Sequence, residues 1–271
     1  MTSRSNIEKD MNQTTDTTND FFVAALEPGA EHPALPAWGN RNKNPAKLEE
    51  NVDVSNIERH ELAQVPGAFQ LLNVLTKQEC EQLINISEKL GFLPDAAVSL
   101  PRSVRHNDSL TWIVDEQTDG VIWDRIAHLM DDRQAIFGGS KALGLNARFR
   151  FYRYKAEDYF KPHSDGAWSG SRIINDDLIA NAYPDRFSQM SFLIYLTDDF
   201  EGGETRFLVN ADDPTQPARR NDNVKSVDIR TPVGGVLCFP HGMHPLHCIH
   251  SSVPITDGVK YIIRSDVLFE L

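Results

Sequence analysis

The chain has 271 residues and a formal net charge of −12, with 27 Lys and Arg against 39 Asp and Glu. This acidic balance disfavours a nonspecific binder of nucleic acid or of anionic membranes, since both need basic residues to neutralise phosphates. The three cysteines are too few for a disulfide framework, so we expect reduced thiols in a cytoplasmic protein. No apolar run approaches the ~20 residues of a membrane span, and the polar N-terminal segment lacks the apolar core of a secretory signal.

The N-terminal part of the chain is polar. Residues 1–20 are rich in Thr, Asn and Asp, a composition typical of disorder. The density of Pro, Gly and Asn over 21–60 predicts an irregular arm, and folded character begins near Pro66. We therefore divide the chain into a polar, partly disordered N-terminal arm, 1–65, and one domain, 66–271.

Two helices are predicted in the first part of the domain, a helical flank over 66–144. The strand candidate AFQLLNVL precedes the sequence TKQE at 76–79, which matches a capping box and begins the first helix. A second helix is predicted over 120–137, because apolar residues recur there on one side and Gly138 and Gly139 form a stop signal.

From residue 145 onward the pattern changes to short strands. The segment LNARFRFYRY alternates apolar and polar residues with period two, as a half-buried strand does. Further apolar segments follow, separated by turn residues and without an intervening helix: SFLIYL, TRFLV, VDIRT, GVLCF and VKYIIRSDVLF. This pattern predicts an all-β sandwich or jelly roll over 145–271. Two polar stretches, 169–188 and 209–226, are predicted to be long loops on it.

Histidine is the residue type that says most about chemistry. Nine are present, and four of them fall in HGMHPLHCIH, at positions 241, 244, 247 and 250. His163 and Asp165 stand two positions apart at the end of a predicted strand, so both can point to one face. With a second histidine from a distant strand they would form a two-histidine, one-carboxylate set. That set holds Fe(II) in nonhaem oxygenases and leaves coordination positions open.

Other interpretations of these residues stay open at this point. His163 and Asp165 alone are also consistent with structural roles. A second His-x-Asp sequence, at 106–108, falls in an arginine-containing loop outside the strand block, and we interpret it as a hydrogen-bonded loop. Zinc is a rival occupant for Cys238, Cys248 and the four C-terminal histidines, although two prolines interrupt regular geometry there.

Four segments, in this order, resemble the prolyl 4-hydroxylase-like family of Fe(II)/2-oxoglutarate dioxygenases: RYKAEDYFKPHSD, YLTDDFEGGETRF, TPVGGVLCFP and HSSVPITDGVKYIIRSDV. The likeness covers 145–271 well and 66–144 loosely. Each segment is unremarkable alone, whereas their order and the ten-residue spacing from His250 to Lys260 are specific. The resemblance implies a mainly β fold with flanking helices, a double-stranded β-helix of the jelly-roll, cupin-like kind.

The resemblance also implies a metal site. His163 and Asp165 match the first two iron ligands, and His250 matches the third because the family places this histidine ten residues before its cosubstrate-binding basic residue. His247 is the alternative third ligand. The remaining histidines of that segment, at 241 and 244, are expected to belong to the loop or to support the ligands.

The cosubstrate site is implied in the same way. Lys260 matches the residue that binds the distal carboxylate of 2-oxoglutarate, and Thr205 and Tyr154 match hydroxyl groups that contact that carboxylate. A lysine buried inside a barrel needs such a counterion. We expect Arg264, on the same strand face as Lys260, to form a structural ion pair. Two further residues, Arg105 and Trp168, are candidates for the substrate pocket.

The implied activity is the hydroxylation of an unactivated C–H of a protein side chain, a prolyl residue included, or of a small molecule. The implied reactants are 2-oxoglutarate, O2 and an unidentified substrate, with succinate and CO2 as coproducts, Fe(II) as the metal and ascorbate as reductant. Neither a nucleic acid nor a membrane is an expected partner. The alternative is a catalytically silent, cupin-like binding or sensor protein, which would have no need of a complete cosubstrate site.

Overall fold

The structure is a computed structural model that describes residues 20–96, 100–131 and 136–271. Its strands are β1 (Phe21–Glu27), β2 (Leu35–Asn40), β3 (Glu58–Glu61), β4 (Phe69–Leu72), β5 (Arg105–His106), β6 (Asp108–Ile113), β7 (Ala142–Leu145), β8 (Arg148–Tyr154), β9 (Tyr159–His163), β10 (Arg172–Ile174), β11 (Asp177–Ile179), β12 (Arg186–Tyr195), β13 (Glu201–Gly202), β14 (Thr205–Asn210), β15 (Val224–Ile229), β16 (Val236–Pro240), β17 (Ile249–Ser252), β18 (Ile255–Asp257) and β19 (Lys260–Glu270). Two α-helices lie within these ranges, α1 (Lys77–Leu90) and α2 (Glu116–Ile126), together with 3-10 turns at Val54–Asn56 and Ala127–Leu129.

Two sheets form the framework. The larger has ten strands, in the order β1-β2-β6-β8-β19-β12-β16-β4-β3 with β7 paired to β19, and the smaller has the order β15-β14-β17-β9-β5. Two-stranded pairs, β10-β11 and β13-β18, complete the β structure of the described chain. The β2–β6 pair is parallel, whereas the other strand pairs of both sheets are antiparallel.

The central strands of the larger sheet are buried on both faces. In β12, Phe192 and Ile194 pack in a core with the helices, whereas Leu193 and Tyr195 pack in a second core with residues of the smaller sheet such as Phe207. Successive side chains of a strand point to opposite faces, so the continuous apolar run SFLIYL supplies both cores. The face toward the smaller sheet contains the candidate site.

Helix α1 begins at the predicted capping box. The Thr76 hydroxyl accepts from the Glu79 amide at 3.2 Å, and the Glu79 carboxylate accepts from the Thr76 amide at 2.8 Å. The same carboxylate lies 2.6 Å from Nη2 of the buried Arg125 in α2 and accepts from the Glu49 amide at 2.9 Å. One carboxylate thus caps a helix and ties both helices to the N-terminal segment, because each oxygen accepts from more than one donor.

Residues 20–65 differ from the irregular arm that we predicted. Strand β2 pairs in parallel with β6, and β1 pairs antiparallel with β2. In β2, Leu35 and Ala37 are buried, and the Asn40 side chain accepts from Nε1 of the buried Trp112 at 2.8 Å. The segment LPAWGN alternates buried and half-buried residues with period two. This strand was missed in the sequence analysis because turn-forming residues surround it. Residues 1–19, predicted to be disordered, lie outside the described residues, and the domain boundary at 65/66 stays a prediction.

Two further segments also differ from the sequence-based expectation. Helix α2 begins at Glu116 rather than Gly120, because Asp115 caps it by accepting from the amides of residues 117 and 118 at 3.0 and 3.2 Å. It ends at Ile126, where the chain tightens into a 3-10 turn, and residues 132–135 of the predicted helix lie outside the described residues. The polar stretch 169–188 contains the β10–β11 hairpin rather than only a loop.

All three cysteines are buried and free of disulfides. Across the described ranges, no helix combines the length and the apolar character needed to cross a bilayer.

We predict that Glu79→Ala destabilises the protein by about 3–5 kcal/mol, because it leaves the guanidinium of Arg125 buried without its carboxylate. Denaturant unfolding followed by circular dichroism measures this loss. Glu81→Ala, on the exposed face of the same helix, is the matched control and should change the free energy of unfolding by less than about 0.5 kcal/mol. Equal effects of the two substitutions would contradict the role assigned to Glu79.

Candidate active site

Two histidines meet across a pair of strands of the smaller sheet. His163 is the last residue of β9 and is the antiparallel partner of His250 in β17, with ring centroids 4.3 Å apart. Asp165 lies two residues beyond β9, outside the strand. One potential ligand atom from each of the three residues lies within 4.8 Å of the other two. The structure therefore brings together the three residues that the sequence resemblance singles out.

The distances within this group suit a shared cation better than hydrogen bonds. The Nε2 of His163 is 3.7 Å from Asp165 Oδ1, and the Nε2 of His250 is 3.8 Å from Asp165 Oδ2. Both distances exceed the hydrogen-bond range. Two atoms that each bind one transition-metal ion at about 2.0–2.2 Å are at most about 4.4 Å apart. The nitrogen and oxygen donors are also those that nonhaem Fe(II) prefers.

Both imidazoles are prepared to act as ligands. The Nδ1 of His163 lies 2.8 Å from the Lys161 carbonyl oxygen, which fixes the proton on Nδ1 and leaves the lone pair on Nε2. The ring stacks on Phe160, with centroids 3.5 Å apart. Burial lowers the pKa of His250 to about 3, with the neighbouring His163 acting in the same direction. The His250 ring is therefore neutral, as a metal ligand must be.

Asp165 stays ionised although it is buried. Burial alone would raise its pKa, but the guanidinium of Arg264 and the two imidazoles hold the pKa of this carboxyl well below its ordinary value. The Nε of Arg264 is 3.3 Å from Asp165 Oδ2. Arg264 also donates to Asp266 at 3.0 Å, so it forms the structural ion pair that we expected. The result is a charged carboxylate next to the neutral imidazole of His250.

A chain of hydrogen bonds through Ser191, His241 and Ser188 orients the carboxylate of Asp165. The Ser191 hydroxyl donates to Asp165 Oδ2 at 2.6 Å and, having one proton, accepts from Nδ1 of His241 at 2.9 Å. The other ring nitrogen of His241 lies 3.0 Å from the hydroxyl of Ser188. Burial lowers the pKa of His241, so its ring is neutral and has one donor and one acceptor for these two serines. Such outer partners fix the orientation of ligating groups.

Lys260 is fully buried at the opposite end of the same cavity. Its Nζ donates to the Gly203 carbonyl at 2.6 Å and to the Ser252 hydroxyl at 3.2 Å. Within the described part of the chain, no carboxylate lies at ion-pair distance from it. Burial lowers the pKa of Lys260 to about 7. A buried ammonium without a counterion is costly, so this side chain suits an anionic ligand.

The two hydroxyl candidates surround this lysine. Tyr154 is the cross-strand partner of Lys260, and its ring centroid is 5.2 Å from Nζ. Burial raises the pKa of Tyr154, so the phenol keeps its proton. Thr205 is buried at the start of β14, opposite Ser252, and its hydroxyl shares a hydrogen bond with that of Tyr195. The three side chains come from both sheets, which only the folded chain brings together.

The turn that precedes β14 explains how the Gly203 carbonyl reaches Lys260. Gly202 and Gly203 both have a left-handed φ, of 71° and 68°. A Cβ on Gly202 would lie 2.3 Å from the carbonyl oxygen of Pro254. Side chains are therefore excluded from this turn, which aims the Gly203 carbonyl at Nζ.

One cavity of about 130 Å³ joins these groups. It is lined by all eight residues singled out from the sequence: Arg105, Tyr154, His163, Asp165, Trp168, Thr205, His250 and Lys260. Arg105 is buried, with its guanidinium 4.2 Å from the ring centroid of Tyr152. The structure thus brings the two substrate-pocket candidates to the wall of the cavity that holds the metal and cosubstrate candidates.

The alternative metal residues lie elsewhere. His247 is outside the three-residue group, and its Nδ1 lies 3.0 Å from the carbonyl oxygen of His244. His106 pairs with Asp158 at 2.6 Å, in agreement with a hydrogen-bonded role. Cys238 is buried in the core beneath the helices. Among the described residues, His163, Asp165 and His250 are the one group of three or more potential ligands at such distances.

Several residues of the site escaped the sequence analysis. Ser191 in β12 and Asp266 in β19 are polar residues next to apolar runs, and both are fully buried. Arg150, in β8, is buried and lines the cavity. These residues lie on the same strand faces as Lys260 and Tyr154, and that position could have identified them from the sequence. The position alone does not predict which buried polar groups contact one another.

Comparisons with known proteins agree with the sequence motifs. No protein-family model matches the chain. A curated relative, prolyl 4-hydroxylase 13 of Arabidopsis thaliana, is 26% identical over 236 residues, which cover 82% of this chain and 78% of that protein. A solved Trichoplax adhaerens prolyl hydroxylase, in complex with a hypoxia inducible factor oxygen degradation domain peptide fragment, superposes with a TM-score of 0.50 at 17% identity, over 75% of this chain and 84% of that chain. A Pseudomonas putida prolyl-4-hydroxylase superposes with a TM-score of 0.45 at 16% identity, over 74% and 92% of the two chains.

These findings confirm two predictions from the sequence. The superposition on the Trichoplax structure confirms the fold class, a mainly β double-stranded β-helix with flanking helices. The resemblance to prolyl 4-hydroxylase-like dioxygenases is confirmed by the curated relative, which agrees with the predicted enzyme class, a 2-oxoglutarate-dependent dioxygenase. The individual roles of the site residues stay predictions.

We predict that His250→Ala weakens the binding of a divalent cation by more than about 100-fold, since even the loss of an outer partner typically costs 10–100-fold. Ser191→Ala should fall within that smaller range. Anaerobic titration with Co(II), followed by its visible absorption, measures both effects. His247→Ala is the matched control and should bind Co(II) as the wild type does. Loss of binding in His247→Ala with retention in His250→Ala would contradict the assignment.

Proposed function

We propose, from its likeness to the prolyl 4-hydroxylase-like Fe(II)/2-oxoglutarate dioxygenases, that this chain hydroxylates an unactivated C–H of a protein side chain, a prolyl residue included, or of a small molecule. The overall reaction consumes 2-oxoglutarate, O2 and the substrate and yields succinate, CO2 and the hydroxylated product. One observation carries the proposal. A His-Asp-His group shares one cavity with a buried lysine that has no counterion among the described residues.

The metal would be held by His163, Asp165 and His250. When bound, Fe(II) supplies the activation of O2 and the oxidative decarboxylation of 2-oxoglutarate. The donor set supports this assignment because three protein ligands leave three octahedral positions open. The protein contributes the ionised state of Asp165, which Arg264 maintains, and the orientation of its carboxylate, which the Ser191 hydroxyl fixes.

The cosubstrate would be held at its distal carboxylate by Lys260. A charge-assisted hydrogen bond from Nζ to that carboxylate supplies the missing counterion. Thr205 and Tyr154 border the same position and can donate to a second lone pair, since both hydroxyls keep their protons at neutral pH. The aromatic wall around Lys260 keeps water away from this end of the cavity, which strengthens the ion pair.

The substrate would enter beside Trp168 and Arg105. A peptidyl proline is one candidate, supported by the curated relative and by the peptide-bound Trichoplax enzyme. A small molecule is the other candidate. The stretches 169–188 and 209–226, predicted to be long loops, contribute no residue to the described lining of the cavity. Ascorbate is proposed as the reductant that keeps the iron in the Fe(II) state.

We expect succinate to form from 2-oxoglutarate in the presence of Fe(II), O2 and ascorbate, and to be lost in Asp165→Ala because the metal loses its charged ligand. Mass spectrometry of succinate, with a broad panel of prolyl peptides and small molecules, measures the reaction. His247→Ala should retain it. Absence of iron-dependent turnover with intact Co(II) binding would favour the alternative, a silent cupin-like binding protein.

The affinity for 2-oxoglutarate should fall as the pH rises above about 7. Lys260 pairs with a carboxylate only when protonated, and its pKa of about 7 in the free protein means that binding at higher pH requires proton uptake. The dissociation constant should therefore rise up to about tenfold for each pH unit. Anaerobic calorimetry with Mn(II) as the metal measures it between pH 6.5 and 8.5.

Two variants complete this test. Lys260→Ala should raise the dissociation constant of 2-oxoglutarate at every pH with metal binding intact. Lys260→Arg keeps its charge throughout the range, so its pH dependence isolates any contribution from the metal ligands. A wild-type affinity that parallels that of Lys260→Arg would show that Lys260 does not titrate in this range.

A further inference from the structure

A second buried cation lies on the same wall of the cavity as Lys260. Arg150 in β8 is the cross-strand partner of Arg264, as Tyr154 is the partner of Lys260. Its side chain is 6% exposed and lines the cavity, yet neither Nη1 nor Nη2 has a hydrogen-bond partner among the described residues. A buried guanidinium normally satisfies its donors with a carboxylate or carbonyl.

The neighbouring arginines, Arg148 and Arg264, both donate hydrogen bonds to carboxylates. Arg148, two residues earlier in β8, places Nη1 and Nη2 each 2.7 Å from the carboxylate of Glu27. Arg264 contacts Asp165 and donates to Asp266 at 3.0 Å. Asp266 is also the carboxylate nearest to Arg150 among the described residues. Its Oδ2 lies 3.8 Å from Nη1 of Arg150, which is beyond hydrogen-bond distance. Arg264 therefore has the closer contact with Asp266, and Arg150 has no hydrogen-bonded acceptor in the part of the chain that the structure describes.

Most of the unsatisfied polar groups near Arg150 are donors. Its guanidinium lies 4.7 Å from the ring centroid of Trp168, whose buried Nε1 has no hydrogen-bond partner in the described structure. Nη2 of Arg105, on the same cavity, is also without one. Among the described residues, Nε of Arg264 and Nδ1 of His250 also line the cavity without a hydrogen-bond partner. Donors therefore predominate, which favours an acceptor-rich ligand, and a carboxylate has two oxygens that match a guanidinium in a bidentate pair.

This position differs from the proposed cosubstrate position. Along the paired strands β8 and β19, Arg150 lies four residues from Tyr154 and Arg264 lies four residues from Lys260. Four residues of a strand span roughly 13 Å. Arg264, the cross-strand partner of Arg150, contacts the metal-ligand candidate Asp165, so Arg150 lies level with the metal group rather than with Lys260. A carboxylate at Lys260 therefore leaves Arg150 unsatisfied.

The charges of the cavity wall agree with a further anion. Four cationic side chains line it, those of Arg105, Arg150, Lys260 and Arg264, against the one carboxylate of Asp165. Asp266, behind the wall, adds one negative charge. The Fe(II) and 2-oxoglutarate of the proposed function add charges that cancel each other, so a net positive charge remains for the substrate to offset.

We propose that Arg150, with Nε1 of Trp168 and Nη2 of Arg105, binds a carboxylate of the primary substrate, which is accordingly a small carboxylic acid. This inference rests on the proposed function and specifies its substrate class. The cavity of about 130 Å³ also has to hold the metal and 2-oxoglutarate, so the space that remains beside Arg150 suits a small acid better than a chain segment. An acidic residue of a peptide would offer the same chemistry, and the experiment distinguishes the two sources.

The binding test uses acetate as the probe. The Mn(II)-loaded protein is first saturated with 2-oxoglutarate, which occupies Lys260, and thermal unfolding is then followed against acetate, with acetamide and sodium chloride at matched concentration and ionic strength. We expect acetate to raise the melting temperature more than either control. The half-saturating acetate concentration should rise by at least about tenfold in Arg150→Met, since a charge-assisted hydrogen bond is lost.

Matched variants separate binding from structure. Arg148→Met removes a buried arginine from the same strand, and its acetate response should equal that of the wild type although its melting temperature is lower. Arg150→Lys keeps the charge and should restore part of the response. An acetate response that is the same in the wild type and in Arg150→Met, or that does not exceed the acetamide response, would overturn the inference.

The turnover test distinguishes the sources of the carboxylate. Succinate formation is compared for free amino acids, their primary amides, and capped peptides with and without a glutamate. Turnover of the free acids alone supports the proposal. Turnover of amides or of capped peptides, acidic ones included, contradicts the assignment of a small acid. Stabilisation by 2-oxoglutarate is recorded separately, because its absence would count against the proposed function, whereas its presence without an acetate response counts against this inference alone.

Discussion

The carboxylate of Asp165 must remain ionised at a point where two sheets exclude water, and the surrounding structure serves that requirement. Burial opposes the charge, so the protein supplies a guanidinium from β19, a hydroxyl from β12 and two imidazoles from the smaller sheet. Each of these groups comes from a different strand. The metal candidate site therefore exists only when both sheets are formed and in register, because a slip of one residue would turn every one of these side chains to the other face.

The alternation of side chains along each strand also places the other charged residues of the cavity on one face. On β19, residues 260, 262, 264 and 266 share the face toward the smaller sheet, whereas Tyr261 and Ile263 pack in the core beneath the helices. Lys260 contacts Ser252, two residues beyond His250 in β17, whereas Arg150 is the cross-strand partner of Arg264, which contacts Asp165. One wall of the cavity thus carries two cations without hydrogen-bonded carboxylate partners of their own, one for each of two proposed anions. The negative surface charge of the molecule does not extend into this pocket.

The sequence predicted the structure of some segments correctly and that of others incorrectly. The capping box at Thr76 and Glu79, the apolar run in β12 and the motif order from 153 to 267 are local, so their consequences could be predicted from a few residues. Strand β2 was missed because its partner, β6, lies about seventy residues away, and turn-forming residues dominate its surroundings. Helix α2 was placed too late because Asp115, a capping residue, lies before the apolar repeat on which the prediction depended.

For the site itself, the sequence determined the kinds of residues present and their spacing along the chain. The His-x-Asp pair and the ten-residue interval to Lys260 carried the resemblance from which the metal and cosubstrate candidates follow. Tertiary structure alone decided which groups meet: that Arg264 pairs with Asp165, that His241 acts through Ser191, and that Arg150 is left without a bonded acceptor. The physical reason is that a strand's period fixes the face on which a side chain lies, whereas its partner depends on the strand that the fold places opposite.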